Sequence, residues 1–403
     1  MKYWYFENRE ELIYFKESIF CEIDMHSKIR VLYICVDASL GGSTSSLYNM
    51  IDGLRDVVEP IVLFPVKGIG YDYFVAHNIE SYIYPFVRLH EYKANKLRRV
   101  WRCPWKWHYI NKSMDDWGCL WYVRKILSGR KVDIVHSNTS PNDIGVLLSK
   151  KLRAKHVWHV REFLDLHFHW EIYGGIPRLR KLINNADARI AISTAIKNHW
   201  QMLDDKTWVI NNAVRKQSEA CYIPEKEKYL LFSSYYLSEA KGARVAIIAF
   251  AKSGMAQQGY RLMLMGNCEE KYYISLMGTI REYHIEGAVD FVPCQKDVKP
   301  YFSNATAYIM SSEFEGLGRV TGEAMFFGSP VIAHATGGTL DLVKDGETGY
   351  LYNTEDECAQ RIRKVCTENQ EPLILRAQEF AINNLSQEVY GPKIMEVYNK
   401  ILN

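Results

Sequence analysis

The stretch that decides the fold of this chain is SSEFEGLGRVTGEAM, residues 311–325. It directly follows a β-branched and aromatic run, Thr306–Met310, which predicts a buried strand. Two glycines then permit close backbone approach, Gly316 and Gly318, and a helix is predicted to open near the second of them. Free N–H groups and the positive dipole end of such a helix attract anions, so strand, glycine-rich loop and helix together outline a diphosphate site.

Two carboxylates bracket this predicted helix opening. Glu315 lies in the loop before the helix, and Glu323 lies about one and a half turns into it. The pair can therefore reach opposite ends of one bound ligand, and carboxylate oxygens are acceptors suited to sugar hydroxyls. The arrangement is less typical of a glycosidase pair, whose carboxyl groups face each other across one bond.

Similar β-branched and aromatic runs recur along the chain with helix-length stretches between them, which predicts parallel sheets with crossover helices. Six runs come before residue 215: Arg30–Val36, Ile61–Pro65, Val132–His136, His156–Val160, Arg189–Ser193 and Thr207–Asn211. Five come after residue 228: Tyr229–Ser233, Arg261–Gly266, Val289–Val292, Thr306–Met310 and Pro330–Ala333. The polar stretch between the two sets, residues 215–228, reads as a linker.

We therefore predict an α/β protein with two doubly wound domains. The predicted parts are an N-terminal extension (1–27), a first domain (28–215), a second domain (216–385) and a C-terminal helix (386–403). In that helix the apolar side chains recur at helical spacing and form one packing stripe across the domains, made of Tyr390, Ile394, Val397, Tyr398 and Ile401. Ligands of doubly wound sheets collect beyond the carboxyl ends of the strands.

Several classes of protein lose support from what the sequence lacks. No Gly-x-Gly-x-x-Gly follows a predicted strand, no Walker loop is present, and no Asp-x-Asp occurs. The nine cysteines contain no Cys-x-x-Cys pair, which predicts neither a disulfide framework nor a zinc site. No apolar run is long enough to span a bilayer, and the acidic N-terminus is unlike a signal peptide, so we expect a cytoplasmic protein.

The net charge of +3 conceals an asymmetry between the two predicted domains. Residues 28–215 carry +11, whereas residues 216–403 carry −5. The segment Lys93–Lys125 interleaves lysine and arginine with tryptophan and tyrosine, a pattern typical of contact with anionic membranes. The alternative is that these aromatic side chains pack the acceptor-side loops. No motif that reads RNA or DNA accompanies the charge, so nucleic acid is the less favoured partner.

At Glu315 to Glu323 the sequence resembles the Glu-x7-Glu signature of family-four retaining glycosyltransferases, which have the GT-B fold. The resemblance covers roughly residues 28–400. Individually weaker matches support it, namely Gly41-Gly42, His159-Val160-Arg161-Glu162, Asn211-Asn212-Ala213-Val214, Lys241-Gly242, Gly337-Gly338 with Asp341, and Asp345-Gly346-Glu347-Thr348-Gly349-Tyr350-Leu351.

The resemblance implies a nucleoside-diphosphate sugar as donor and a glycan or lipid-linked acceptor, with retention of configuration and without a metal or other cofactor. It implies three catalytic residues: Glu315 for donor-sugar hydroxyls, Lys241 for the diphosphate and His159 beside the reacting carbon. The implied donor-binding residues are Glu323 at the ribose together with Gly41, Gly42, Arg161, Gly316, Leu317, Gly318, Arg319 and Val320. The acceptor would belong to surface-polysaccharide or glycolipid synthesis at the inner face of the cell membrane.

One departure from the family pattern leaves alternatives open. Members usually carry Gly-Arg shortly before the phosphate-binding lysine, and here Tyr235-Tyr236 occupies that place, so a bidentate phosphate ligand is missing. We hypothesise that Arg319 or Arg161 supplies the cation. The competing hypotheses are a catalytically idle partner subunit of a transferase and a nucleotide-sugar epimerase of the same fold.

Overall fold

The computed structural model describes residues 28–86, 90–92, 105–166, 170–172 and 174–403. The predicted N-terminal extension, residues 1–27, and residues 93–104 of the basic aromatic segment lie outside this description. The strands are β1 Ile29–Ile34, β2 Val58–Phe64, β3 Glu80–Ile83, β4 His90–Tyr92, β5 Ile134–Asn138, β6 Lys155–Val160, β7 Trp170–Ile172, β8 Ala188–Ala191, β9 Thr207–Val209, β10 Glu227–Leu237, β11 Arg261–Cys268, β12 Val289–Val292, β13 Ala305–Met310, β14 Val331–His334 and β15 Tyr350–Tyr352.

Helices connect these strands in both halves of the chain. Those of the first half are α1 Gly42–Asp52, α2 Ile69–Ala76, α3 Trp105–Leu127, α4 Ile144–Leu152, α5 Gly175–Asn184 and α6 Thr194–His199. Those of the second half are α7 Ala243–Ser253, α8 Glu270–Glu282, α9 Lys299–Asn304, α10 Arg319–Phe326, α11 Thr339–Leu342, α12 Glu355–Thr367, α13 Glu371–Leu385 and α14 Gln387–Leu402. Within the described ranges, none of these helices is both long and apolar enough to cross a bilayer.

The strands assemble into two large parallel sheets, as the alternating pattern predicts. The first has the order β3-β2-β1-β5-β6-β8-β9, and the second has the order β12-β11-β10-β13-β14-β15. In each sheet the chain starts at a central strand, β1 or β10, builds outward to one side and then continues on the other side. This change of direction opens a crevice between β1 and β5 and another between β10 and β13. The short strands β4 and β7 form a separate antiparallel pair.

The C-terminal helix crosses back to the first domain. Helix α13 packs against α10 of the second domain, whereas α14 packs against α1 of the first. Of the predicted apolar stripe, Tyr390, Ile394, Val397 and Tyr398 are fully buried in the core around β1. At the crossing, the backbone N–H of Val214 donates to the carbonyl of Leu385 at 2.8 Å, so the two chain segments that join the domains lie side by side.

Candidate active site

A cavity of about 600 Å³ lies between the carboxyl ends of the two sheets. Its walls come from loops after β1, β5, β6 and β8 in the first domain and from β10, β11 and the loops after β12 and β13 in the second. Eleven of the twelve predicted site residues line it: Gly41, Gly42, Arg161, Lys241, Glu315, Gly316, Leu317, Gly318, Arg319, Val320 and Glu323.

The glycine-rich loop before α10 has the predicted geometry. Gly318 is the N-cap residue, with a left-handed φ of 85°, and the helix begins at Arg319. Gly316 lies against the first domain, because a Cβ atom there would stand 2.8 Å from the carbonyl oxygen of Arg161. The Ser193 hydroxyl donates to the Gly316 carbonyl at 2.6 Å, so the first domain fixes the loop from across the cavity.

Lys241 and Glu315 form an ion pair inside the cavity. Lys241 Nζ donates to Glu315 Oε2 at 2.9 Å, and the two side chains are 27% and 22% exposed. Lys241 comes just before Gly242, whose φ is 77° and whose Cβ would stand 2.3 Å from the Ser311 carbonyl. Only glycine tolerates that conformation and approach, so Gly242 brings the lysine next to the loop after β13, which carries the glutamate.

Glu323 pairs with a residue that sequence analysis did not single out. Arg215 donates from its terminal nitrogen to Glu323 Oε1 at 2.7 Å. Arg215 begins the predicted linker, and it approaches Glu323 only because the chain crosses between the domains there. This contact fixes the position of the Glu323 carboxylate, which lines the cavity.

Arg319 lies in the cavity wall and has N–H donors that the protein leaves largely unused. Its Nε is buried and has no hydrogen-bond partner among the described residues, and its NH1 reaches the Gly42 carbonyl only at 3.5 Å. Burial lowers the pKa of Arg319, and Glu323 opposes that shift.

Arg161 is the other hypothesised source of the missing cation, and its guanidinium contacts buried side chains of the first domain. Its Nε donates to Asn138 Oδ1 at 2.9 Å, and a second nitrogen donates to Asn212 Oδ1. A third nitrogen lies 3.3 Å from His159 Nδ1. The geometry therefore favours Arg319 over Arg161 as the cation available to a ligand.

His159 differs from its predicted placement beside the reacting carbon. It does not line the cavity but lies fully buried, with Nδ1 3.3 Å from His136 Nε2 and next to Arg161. Burial lowers the pKa of His159 well below its usual value, and Arg161 adds to that shift. Because side chains alternate along a strand, a histidine near the end of β6 faces the interior while the following loop forms the wall.

The Tyr235-Tyr236 departure lies at the mouth of the cavity. Both residues belong to β10, whose pairing register with β11 shifts between Ser233 and Tyr236. Tyr235 lines the cavity with 77% of its surface exposed. Tyr236, at the position of the family's arginine, is 43% exposed and does not line the cavity.

Two acidic side chains in the first-domain wall were also not predicted as site residues. Asp37 follows β1 and Glu162 follows β6, and both line the cavity. Burial raises the pKa of Glu162 to about 7, with Arg161 opposing and Asp37 adding to the shift. Their position after strand ends was the available signal. Within the described part of the chain, no cluster of three or more His, Cys, Asp or Glu side chains has the arrangement of a metal site.

Comparison with known proteins agrees with this geometry. The family model described as Glycosyl transferases group 1 matches residues 214–381, and the model described as Glycosyltransferase Family 4 matches residues 40–217. N-acetyl-alpha-D-glucosaminyl L-malate synthase of Bacillus anthracis is 22% identical over 338 residues, 79% of this chain and 84% of that protein. The lipopolysaccharide core biosynthesis glycosyltransferase LpsE of Rhizobium meliloti is 28% identical over 168 residues, 41% of this chain and 46% of that protein.

Solved structures show the same fold. Anabaena HepE in complex with UDP and glucose superposes with a TM-score of 0.73 at 20% identity, covering 92% of this chain and all of that one. A glycosyltransferase from Rickettsia africae gives a TM-score of 0.73 at 18% identity, covering 94% and 100%. Fold and site thus define a glycosyltransferase with the GT-B fold. The chain belongs to the group 1 glycosyltransferases of the family-four type.

Proposed function

We propose that the protein transfers a sugar, with retention of configuration, from a nucleoside-diphosphate sugar to an acceptor hydroxyl in surface-polysaccharide or glycolipid synthesis. The observation that carries this is the placing of Glu315 and Glu323 on either side of a glycine-lined helix opening in one cavity. Two similar proteins support the proposal: the structural neighbour HepE binds UDP-glucose, and LpsE is a glycosyltransferase of lipopolysaccharide core biosynthesis.

In the proposed complex the sugar hydroxyls donate to Glu315, the ribose hydroxyls donate to Glu323, and the diphosphate lies between them at the opening of α10. Lys241 and Arg319 then stand on either side of the phosphate groups. Preorganised cations and helix N–H groups stabilise the charge that grows on the departing diphosphate, by a few kcal/mol per group. These groups replace a metal in the mechanism we propose.

Donor binding is the first test of the proposal. Calorimetric titration with UDP, GDP and ADP is expected to show tight binding of one of them. Lys241→Ala is expected to weaken that binding about 10- to 100-fold, because a charge-assisted hydrogen bond contributes about 1.5–3 kcal/mol. Lys252→Ala is the matched control, since Lys252 pairs with Glu355 and Asp356 and does not line the cavity.

The outcome also separates the alternatives left open by the sequence. Absence of binding to any nucleoside diphosphate would contradict the proposal and favour an idle subunit. Release of nucleoside diphosphate that requires an acceptor supports transfer, whereas acceptor-independent consumption of the donor favours epimerisation or hydrolysis. Equal affinities in the wild type and in Lys241→Ala would remove the lysine from the donor site.

We further propose that helix α3 contacts the anionic inner face of the cell membrane and so approaches a lipid-linked acceptor. Met114, Trp117 and Trp121 recur at helical spacing and are 68%, 51% and 65% exposed. Lys151 Nζ lies 4.7 Å from the Trp117 ring, and Lys125 Nζ lies 5.4 Å from the Trp121 ring. Tryptophan beside lysine is favoured at the headgroup level.

Vesicle sedimentation tests this contact. The protein is expected to sediment with phosphatidylglycerol vesicles at low salt and to remain in solution with phosphatidylcholine vesicles, because the lysines add an electrostatic attraction that salt screens. Combined Trp117→Ala and Trp121→Ala substitution is expected to reduce sedimentation at least several-fold. Sedimentation that is unchanged in the double variant would show that another surface is responsible.

A further inference from the structure

Three loops of the first domain form one wall of the cavity. They follow β1, β5 and β6 and bring Asp37, Pro141 and Glu162 to the cavity surface. The donor roles proposed above use none of these residues. Since the proposed contacts to the sugar and ribose ends of the donor come from the second domain, Asp37, Pro141 and Glu162 remain available to the other substrate.

Glu162 is held rigidly at the point where the two domains meet. Its carbonyl accepts a hydrogen bond from Trp200 Nε1 at 2.8 Å, which fixes the backbone. The preceding residue, Arg161, packs its carbonyl against Gly316. Glu162 therefore lies beside the loop that carries Glu315, where the donor sugar is proposed to bind.

The carboxyl group of Glu162 has an unused acceptor. Its Oε2 is buried and has no hydrogen-bond partner in the part of the chain that the structure describes. Leaving a buried polar atom unpaired is costly, so such an atom calls for a functional explanation. A ligand hydroxyl that enters the cavity supplies the missing donor.

The surroundings of Glu162 restrict the chemistry of that ligand. Asp37 adds a second carboxylate to the same wall, whereas the neighbouring Arg161 guanidinium is turned to Asn138, Asn212 and His159. A carboxylate or phosphate on the acceptor would bring like charge to Glu162 and offer it no proton to share. Apolar side chains complete the wall beside it, namely Phe163, Leu164 and Trp170.

We infer that Glu162 binds the attacking hydroxyl of the acceptor by accepting its hydrogen bond, and that this acceptor is a neutral sugar. The inference rests on the proposed transferase function and deepens it. A sugar ring suits a wall of this kind because it presents hydroxyl donors at its edge and apolar C–H groups on its faces. An acidic acceptor such as malate does not suit this wall.

The test measures release of nucleoside diphosphate from the sugar nucleotide that most raises the melting temperature of the wild type. The neutral probes are octyl glucoside, octyl galactoside, octyl mannoside and octyl N-acetylglucosaminide, and the anionic probes are L-malate and inositol 3-phosphate. Wild type is compared with Glu162→Gln, Glu162→Asp and the control Glu171→Gln. Glu171 is an exposed carboxylate of β7 that does not line the cavity.

At least one octyl glycoside, and neither anion, is expected to accelerate release by the wild type. In Glu162→Gln that acceleration is expected to be about 10- to 100-fold smaller, while the affinity for the nucleoside diphosphate that the wild type binds changes less than twofold. Glu162→Asp should retain part of the acceleration, and Glu171→Gln should behave as wild type.

Because the ionised carboxylate is the better acceptor, the acceptor-dependent rate should also fall as pH drops through about 7. This fall in rate at low pH should be absent in Glu162→Gln.

Acceleration by an anion, or by none of the glycosides, would overturn the inferred acceptor class. A wild-type acceptor-dependent rate in Glu162→Gln, with an unchanged pH profile, would overturn the role of Glu162. If Glu162→Gln folds poorly, the pH profile of the wild type and the rate of Glu162→Asp still decide. Failure of the wild type to bind any nucleoside diphosphate is a different result, which contradicts the proposed function itself.

Discussion

At the scale of single residues, the ion pair between Lys241 and Glu315 links two parts of the donor site. Each group is assigned a different piece of the donor, and yet they satisfy each other at 2.9 Å. A ligand that uses only the lysine must compete with the glutamate for it. A ligand that brings both phosphate and sugar compensates both partners, so the pair favours the intact donor over the free nucleotide.

This competition predicts opposite effects of one substitution. Glu315→Gln is expected to raise the affinity for the free nucleoside diphosphate about threefold, because a partly exposed ion pair contributes up to about 1 kcal/mol. The same variant is expected to weaken binding of the sugar nucleotide, since its hydroxyls lose a charged acceptor. Calorimetric titration with both ligands measures the two effects. Lys241→Ala serves as the comparison because it should weaken both, and weaker binding of both ligands to Glu315→Gln would contradict the competition.

Some residues of the site could be predicted from local sequence patterns, and others could not. Glu315, Glu323 and Arg319 lie within one short stretch, where strand, glycine and helix signals fix their relative positions. Arg215 and Glu162 lie far from that stretch in sequence, and they reach the cavity through the crossing of the chain and the meeting of the two walls. No local pattern encodes such contacts. The strand-end position of Glu162 was a signal, but it does not say which strand-end residues face the cavity.

At the scale of elements, strands whose sequence is a continuous β-branched or aromatic run were predictable, and strands without such a run were not. All eleven predicted runs coincide with strands, with ends that differ by a few residues. Strand β3 was missed because its four residues are all half-buried and show no alternation. Strand β10 was predicted as Tyr229–Ser233 but extends to Leu237, past a register shift. That extension is what brings Tyr235 to the cavity mouth.

At the scale of the whole molecule, helix α14 joins the end of the chain to the first domain through a contact between glycines. A Cβ atom on Gly391 would stand 2.7 Å from the carbonyl oxygen of Gly53, the residue that ends α1. Such a distance is too short for any side chain, so the helices can approach this closely only at glycine. The contact brings Tyr390, Ile394 and Tyr398 into the core beneath β1.

Substituting alanine at two helical glycines tests whether this contact holds the crossing helix in place. Gly391→Ala is expected to lower the free energy of unfolding by about 1–3 kcal/mol, because the added methyl group meets backbone that cannot move aside without disturbing the core. Gly278→Ala in α8 makes the same chemical change where a Cβ meets nothing within 4 Å, so it should raise stability by up to about 1 kcal/mol through helix propensity. Urea denaturation of both variants measures the difference. Effects of equal sign and size would show that the close approach at Gly391 does not limit the packing of α14 on the first domain.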